Sequence, residues 1–487
     1  MQSRAVRIHS ISIYDFKNIE HGEIDFTNTR KPYWASVLGL YGQNGSGKTS
    51  LINAIFILKA ALSGSPLPAD VSNLIRVGAE FAKLSFKFRI SDTEDSTYSA
   101  DVIYEFKIRK ETTQASISFT KPKSNFYCQI FDEKISFCLN TKYGQTRKAS
   151  WLDTTSASPF GPLPKRKLLL NAVTEKTFHG LIVARMLAAS TSQSFIFSQQ
   201  LLDSLVTADS PWEKIKTLQS LPSATVLAEL LSDSLKRLCF FGRYELFVFD
   251  TTLAGLISLN TIPLHIGLNT ANQKQEQSGG ILLSLNGQTT IANQAVPFVE
   301  KTIEQLNIVL MKIVPGLKIS VEKTGTEYGK DGELWTNVQL MSLKNETPIA
   351  LAYESEGIKK IISVLHLLIC FFNKQSFTVA IDELDSGIFE YLLGQLLSVL
   401  SEQGHGQLIF TCHNLHPLET IDKGFIAFTT TDPKNRFIRL TNVKETNNLR
   451  DLYFRNIVLG DESELLYDAT SKGQIAYALM RAGRSNG

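Results

Sequence analysis

Gly42-Gln43-Asn44-Gly45-Ser46-Gly47-Lys48-Thr49 decides the reading of this chain. The octapeptide fits G-x-x-x-x-G-K-S/T, in which glycines let consecutive backbone N–H groups turn inward and a following helix adds its positive N-terminus. Such a loop cradles nucleotide phosphates. Lys48 is placed to reach the β- and γ-phosphates, and the Thr49 hydroxyl to ligate Mg²⁺. The flanks supply the required context. Ala35-Ser36-Val37-Leu38-Gly39-Leu40-Tyr41 reads as a buried strand, and Leu51, Ile52, Ile55, Phe56 and Leu58 recur at helical spacing between Ser50 and Leu62. The expected ligands are a nucleotide and Mg²⁺.

A second anchor lies far downstream. Phe377-Thr378-Val379-Ala380-Ile381 reads as a buried strand, and Asp382-Glu383 follow at its C-terminal end, where open α/β sheets place their ligands. Asp382 is expected to hold the Mg²⁺ shell and Glu383 to polarise the attacking water. In isolation these residues also fit a solvated strand end, with Asp385-Ser386 capping a helix that starts near Ile388; the phosphate loop favours the catalytic assignment.

Two further stretches carry weaker signals. In Tyr353-Glu354-Ser355-Glu356-Gly357-Ile358-Lys359-Lys360, a Ser followed by a Gly at a helix start makes either a second anion site or a plain N-cap. Leu408-Ile409-Phe410-Thr411-Cys412-His413 is another apolar strand ending in polar groups. His413 is placed to sense a γ-phosphate, or is an ordinary strand-end histidine. Cys412, His413 and His416 match no standard zinc spacing.

Composition narrows the partners. The 50 Lys+Arg and 47 Asp+Glu leave a net charge of +3, so no global field advertises nucleic acid or a membrane. The basic runs Lys107-Ile108-Arg109-Lys110 and Lys165-Arg166-Lys167 are the only sequence support for direct DNA binding, and solvated faces account for them more readily. Four of the cysteines Cys128, Cys138, Cys239, Cys370 and Cys412 lie in apolar stretches, and none forms C-x-x-C, which fits reduced thiols in a cytoplasmic protein. Met1 to Phe16 lacks the apolar core of a signal peptide. The longest apolar stretch, Ile361 to Phe372, falls short of the roughly 18 residues of a membrane span.

The chain is read as α/β. Strands are expected around Val6–Phe26 and from about Ala82 to Asn140, where Leu84-Phe86-Phe88-Ile90 and Val102-Tyr104-Phe106-Ile108 alternate cleanly; Ile117–Phe119 is a further one. Ser150 to Lys165 reads as a loop, Lys167 to about Phe249 as mainly helical, and Gly267 to Gly280 as a loop. From Ser355 onward strand and helix alternate as in parallel βαβ units. Taken with the family resemblance described next, residues 1–150 and 317–460 are expected to form two halves of one ATPase core, 151–316 a largely helical insertion and 461–487 a tail. Lys48 and Asp382 stand 334 positions apart, yet are expected to meet at one Mg²⁺.

The order of these motifs resembles the ATP-binding-cassette (ABC) class of P-loop ATPases. Within it, the chain resembles the group containing RecF, the SMC proteins and the overcoming-lysogenization-defect (OLD) ATPases. Tyr14-Asp15-Phe16-Lys17-Asn18-Ile19 is similar to that group's opening strand-turn. The resemblance covers Met1 to about Asn140 and Leu317 to about Gly460. It implies a head with a mixed β lobe and a parallel βαβ lobe. Lys48 and Thr49 take the Walker A role, Asp382 and Glu383 Walker B, and Asp385 the D-loop. Ser355 and Gly357 become the signature and His413 the switch histidine. Ser-Glu-Gly replaces the Ser-Gly-Gly of transporters, which argues against transport. Gln129 is one candidate for the glutamine loop and also fits a plain strand residue.

In this class ATP is sandwiched between the Walker A of one protomer and the signature of another, which implies a homo-oligomer, at least a dimer. Only 74 residues follow His413, so an OLD-type nuclease on the same chain is not expected. Asn448-Leu449-Arg450-Asp451-Leu452-Tyr453 looks like the C-terminal strap of stand-alone ATPases from bacterial phage-defence operons. The layout most resembles the ATPase subunit of the PARIS system, which works with a separate TOPRIM-type effector; the Septu ATPase is the rival. The implied function is an ATP-hydrolysing sensor and scaffold that holds a toxic nuclease effector until a phage-encoded trigger arrives. The alternatives are a RecF-like clamp on duplex DNA and a nucleotide-gated scaffold with negligible turnover.

Overall fold

The computed structural model describes residues 4–28, 30–92, 97–112, 126–155, 175–205, 211–249, 261–268, 277–329, 332–344, 347–439, 448–459, 466 and 471–484. A hairpin of β1 (Arg4–Phe16) and β2 (Ile19–Asp25) opens the chain, followed by β3 (Ser36–Tyr41) and helix α1 (Lys48–Ser63). Then come β4 (Phe81–Asp92), β5 (Ser99–Thr112), β6 (Phe126–Thr141), β7 (Gly144–Gln145) and β8 (Ala149–Asp153). Helices α2 (Glu175–Ser190), α3 (Gln199–Ser204), α4 (Pro211–Thr217) and α5 (Ala224–Tyr244) lead to β9 (Leu246–Phe249). Strands β10 (Thr261–Leu268), β11 (Gln277–Ser284) and β12 (Gln288–Ala292) precede α6 (Val296–Ile313). Strands β13 (Leu317–Tyr328), β14 (Leu334–Lys344) and β15 (Thr347–Ala350) follow. The remainder runs α7 (Glu356–Asn373), β16 (Thr378–Ile381), α8 (Glu390–Gln403), β17 (Gln407–Thr411), α9 (Pro417–Thr420), β18 (Ile426–Thr429), β19 (Phe437–Ile438), α10 (Leu449–Leu459) and α11 (Lys472–Arg484).

The core is a six-stranded sheet ordered β19-β18-β3-β17-β16-β9. All neighbours are parallel except β18 and β19. One row crosses it as Leu38, Ile409, Ala380 and Val248. Strands such as Thr378–Ile381 and Ile426–Thr429 are buried along their whole length, because a parallel sheet is covered on both faces. Leu38, Leu40, Ala380, Ile409 and Val248 join the core built with α1 and α5. The alternate residues Val37, Tyr41, Val379, Ile381 and Phe410 join the one built with α6, α7 and α8.

The second large sheet is antiparallel, ordered β2-β1-β4-β5-β6-β7 with β8 on β6. Leu84, Phe86, Phe88 and Ile90 turn inward while Lys83, Lys87 and Arg89 stay on the open face, as the alternation predicts. All five cysteines are buried and free. Among the described residues no helix is long and apolar enough to cross a membrane.

The segment 151–316 is more mixed than its helical pattern suggests. It contributes β9 to the core sheet, paired in parallel with β16, and it holds β10, β11 and β12 as well. The run Leu246-Phe247-Val248-Phe249 follows an amphipathic helix without a turn residue and so reads as that helix's tail. Its continuous apolar character instead suits a strand covered on both faces. Lys59 of α1 ties this region down: its Nζ, over the Phe247 ring, donates to the carbonyls of Gly242 and Leu246. The 316/317 boundary also separates paired strands, since β12 pairs with β14. Both ends of the expected Gly267–Gly280 loop are strand. The expected strand Ile117–Phe119, most of the 150–165 loop and the run Lys165–Lys167 lie outside the described residues.

Candidate nucleotide site

The site forms at the C-terminal ends of β3, β17 and β16. Lys48 opens α1 directly after the loop. Gly42, Gly45 and Gly47 adopt φ of 155°, 79° and 100°, backbone that side-chain-bearing residues rarely reach. Gly42 is also fixed by space, since a Cβ there would come within 1.8 Å of the Thr429 hydroxyl. Ser46 donates to the Gln43 carbonyl at 2.6 Å and pairs with Thr429. Asn44 is exposed and Thr49 half-buried at the start of the helix.

Lys48 is 6% exposed and its Nζ donates to the carbonyls of Gly42 and Gln43 at 2.8 and 3.1 Å. Burial lowers the Lys48 pKa, opposed by the nearby carboxylates of Asp382, Glu383 and Asp385. Although 334 positions separate Lys48 from Asp382, the phosphate-loop lysine lies within electrostatic range of the acidic pair.

Asp382 is buried at the end of β16, and its Oδ1 accepts the Thr411 hydroxyl at 2.5 Å. The Glu383 side chain is exposed, and its backbone sits at φ 48°. The same Thr411 hydroxyl accepts the Glu383 N–H at 2.7 Å. Asp385 does not cap a helix. Its Oδ2 accepts the amides of His413 and Asn414 at 2.9 and 2.7 Å, and α8 starts later, with Phe389 as an N-cap that makes no side-chain bond. Asp385 thereby holds the loop that presents His413, whose side chain is exposed.

Ser355 is the N-cap of α7, its hydroxyl accepting the Ile358 N–H at 3.4 Å. It is exposed, next to Tyr353 at 84% exposure. Gly357 packs against the turn after the acidic pair, where a Cβ would fall 2.0 Å from the Gly387 carbonyl oxygen. Gln129 lies in β6 and accepts from Arg109 at 2.8 Å, a strand residue of the outer sheet.

Several participants carry no motif. Asn18, in the β1–β2 turn, donates to the Gly45 carbonyl and accepts the Ser50 hydroxyl at 3.3 Å. Arg436 donates to the Asn18 carbonyl at 2.5 Å, and its stem covers Gly47. Lys360 of α7 donates to the Glu383 carbonyl. Asn18 and Lys360 stood in quoted stretches without being given a role, and Arg436 stood in none; Thr411 could have been found as the hydroxyl at the end of the strand leading to His413.

The donors suit a hard cation. The Asp382 carboxylate and the Thr49 hydroxyl are oxygens, as Mg²⁺ prefers, and Mg²⁺ takes one or two protein groups and fills its shell with phosphate and water. Among the described residues no group of three or more His, Cys, Asp or Glu is placed to hold a metal by itself.

Comparison with known proteins agrees with this geometry where it reaches. Residues 10–158 match the model of an AAA domain, a stretch that includes the phosphate loop. No curated protein matches the chain. Among solved structures, it is similar to the Smc head with an extended coiled coil bound to the C-terminal domain of ScpA, from Pyrococcus furiosus (13% identity, TM-score 0.36, 89% of this chain and 96% of that one). It is also similar to the SMC head domain from Thermotoga maritima (12%, TM-score 0.34, 89% and 99%). The phosphate loop follows β3 and the acidic pair follows β16, with β17 between these strands and an antiparallel sheet elsewhere in the chain, an α/β architecture with a P-loop inside the stretch that matches the AAA domain.

Proposed function

We propose that the chain hydrolyses MgATP at a site completed by a second copy of itself. The observation that carries this is the division of the motifs. Lys48, Asp382 and Glu383 share one electrostatic neighbourhood, whereas Ser355 stands exposed at the start of α7, two residues after Tyr353, which is 84% exposed. An exposed helix start beside an exposed aromatic is a surface suited to another protomer.

In this reading Lys48 exchanges the Gly42 and Gln43 carbonyls for the β- and γ-phosphates. The amides of the loop and of the first turn of α1 take the remaining phosphate charge. Asp382 and Thr49 would hold Mg²⁺, which would supply neutralisation of the phosphate charge. Glu383 orients the attacking water and accepts its proton, and His413 contacts the γ-phosphate. Ser355 and the free amides around Gly357 bind that phosphate from the second copy, so hydrolysis removes the group that bridges the two.

Mixing two disabled proteins tests the composite site. Lys48→Ala and Ser355→Arg are each expected to be inactive alone. Mixed, they restore one intact site per heterodimer, and phosphate release returns to a sizeable fraction of the parent's. No recovery, in a mixture shown to exchange subunits, sinks the composite site.

The narrower reading is a sensor and scaffold in anti-phage defence that holds a separate, TOPRIM-like nuclease effector until a phage-encoded trigger arrives. Its support is the motif layout and the Asn448–Tyr453 strap, the start of α10. Co-purification with the product of the adjacent gene, and its release on ATP turnover, tests it. A RecF-like clamp has less support, because Lys107 is ion-paired with Asp132 and Arg109 with Glu111.

A further inference from the structure

Lys360 is an ammonium buried to 4% exposure on α7, one turn beyond the exposed Ser355. Its Nζ donates to the backbone carbonyl of Glu383. Burial lowers its pKa, while the carboxylates of Asp385, Glu383 and Asp382 oppose the shift; an ammonium at this place has the acidic turn as its counter-charge. A buried lysine is retained where it is paired and hydrogen-bonded.

Glu383 is the residue that gains. It is a non-glycine residue at φ 48°, a left-handed conformation that an L-residue holds only when its surroundings impose it. The bonds that impose it come from both sides. Lys360 holds the Glu383 carbonyl, and the Thr411 hydroxyl takes the Glu383 N–H at 2.7 Å while donating to Asp382 at 2.5 Å. Without them the turn is free to relax toward ordinary backbone, which would swing the Glu383 carboxylate away from its present direction.

We infer that Lys360 and Thr411 are positioning residues that clamp the Glu383 backbone in its left-handed turn and so aim its carboxylate at the attacking water. The inference rests on Glu383 being the water-orienting group. Lys360 adds a mechanical link, because α7 also begins with the proposed partner-facing Ser355, and a displacement of that helix pulls on the Glu383 carbonyl. The Gly357–Gly387 contact joins the same two segments a second time.

The test compares Lys360→Met, Lys360→Arg, Thr411→Val, Thr411→Ser and Glu383→Gln in the full-length protein, reading steady-state phosphate release and the affinity for a fluorescent ATP analogue. Lys360→Met and Thr411→Val are expected to lower kcat by about tenfold to a hundredfold, with affinity within about threefold of the parent's. Lys360→Arg and Thr411→Ser, which keep the donors, recover much of the loss. Adding Lys360→Met to Glu383→Gln costs nothing further, because the aimed group is already gone. Parent-like kcat in both Lys360→Met and Thr411→Val, with Glu383→Gln inactive, overturns the clamp and leaves the role of Glu383 standing. A loss in Lys360→Met that persists undiminished on top of Glu383→Gln overturns it too. Parent-like turnover in Glu383→Gln overturns the underlying reading, and the clamp with it. Should Lys360→Met fail to fold, the Thr411 pair decides alone.

Discussion

Gly357 lies so close to Gly387 that a Cβ on the first would come within 2.0 Å of the carbonyl oxygen of the second. Both partners in that contact are backbone, so neither can rotate aside. Gly357→Ala is therefore expected to lose about 1–3 kcal/mol of stability, with ATPase activity falling further as the start of α7 is pushed from the acidic turn. Urea unfolding against the parent measures the first effect. An unchanged midpoint would falsify the close approach.

Asn18 bridges the phosphate loop and the first turn of α1, holding Gly45 through its amide and Ser50 through its carbonyl oxygen. Removing both bonds with Asn18→Ala leaves the loop present but less rigid. At about 0.5–1.5 kcal/mol for each bond lost, nucleotide affinity is expected to weaken by about tenfold while the fold persists. Titration with a fluorescent ATP analogue reads this directly, and parent affinity would remove Asn18 from the site.

In the proposed site, Lys48 exchanges the loop carbonyls it now holds for phosphate. In Lys48→Met that exchange has no cation to drive it. A ligand at a hundred times its Kd stabilises the folded state by about 2.7 kcal/mol, which a thermal melt with and without MgATP resolves. The parent is expected to show the upward shift and Lys48→Met none. An equal shift in both would place the nucleotide elsewhere.

Lys59 gives the protein a pH dependence. Burial pushes its pKa down from 10.5 to about 8, so the unfolded chain binds its proton more tightly than the folded one. The sign follows: the lysine is harmless above about pH 10.5, and stability is lost as pH falls from there through about 8. The full effect is on the order of 3 kcal/mol. Lys59→Met lacks this titration, so the difference in urea stability between it and the parent is expected to change over pH 8–10.5 in the parent's favour as pH rises. A constant difference across that range contradicts the burial of a neutral amine.

What the sequence made legible was what lies close together in it. The phosphate loop is read from eight consecutive residues, and the alternation over Leu84–Ile90 from seven. Asp382 and Glu383 are found because a strand end marks them. Lys360 escaped notice because Lys359-Lys360 looks like a solvated helix start; only the Glu383 carbonyl, 23 positions on, explains its burial. Asp385 looks like a helix cap until the amides of His413 and Asn414 are seen to occupy it. Strand β9 was hidden for the same reason, since four apolar residues after a helix become a strand only through their pairing with β16.

That dependence on distant partners has a consequence for synthesis. The central strand β3 leaves the ribosome early, but its two neighbours are β17 and β18, whose pairings bring Ser36 beside Gln407 and Gly39 beside Ile426. Until those residues emerge, a fully apolar strand waits with both edges open, and pairing between such remote segments is slow. The nascent chain thus elongates from β3 to β17 with its phosphate-loop strand unprotected, a state that invites aggregation and calls for chaperones. A polypeptide truncated before β17 would carry a perfect phosphate loop and have no sheet to mount it on.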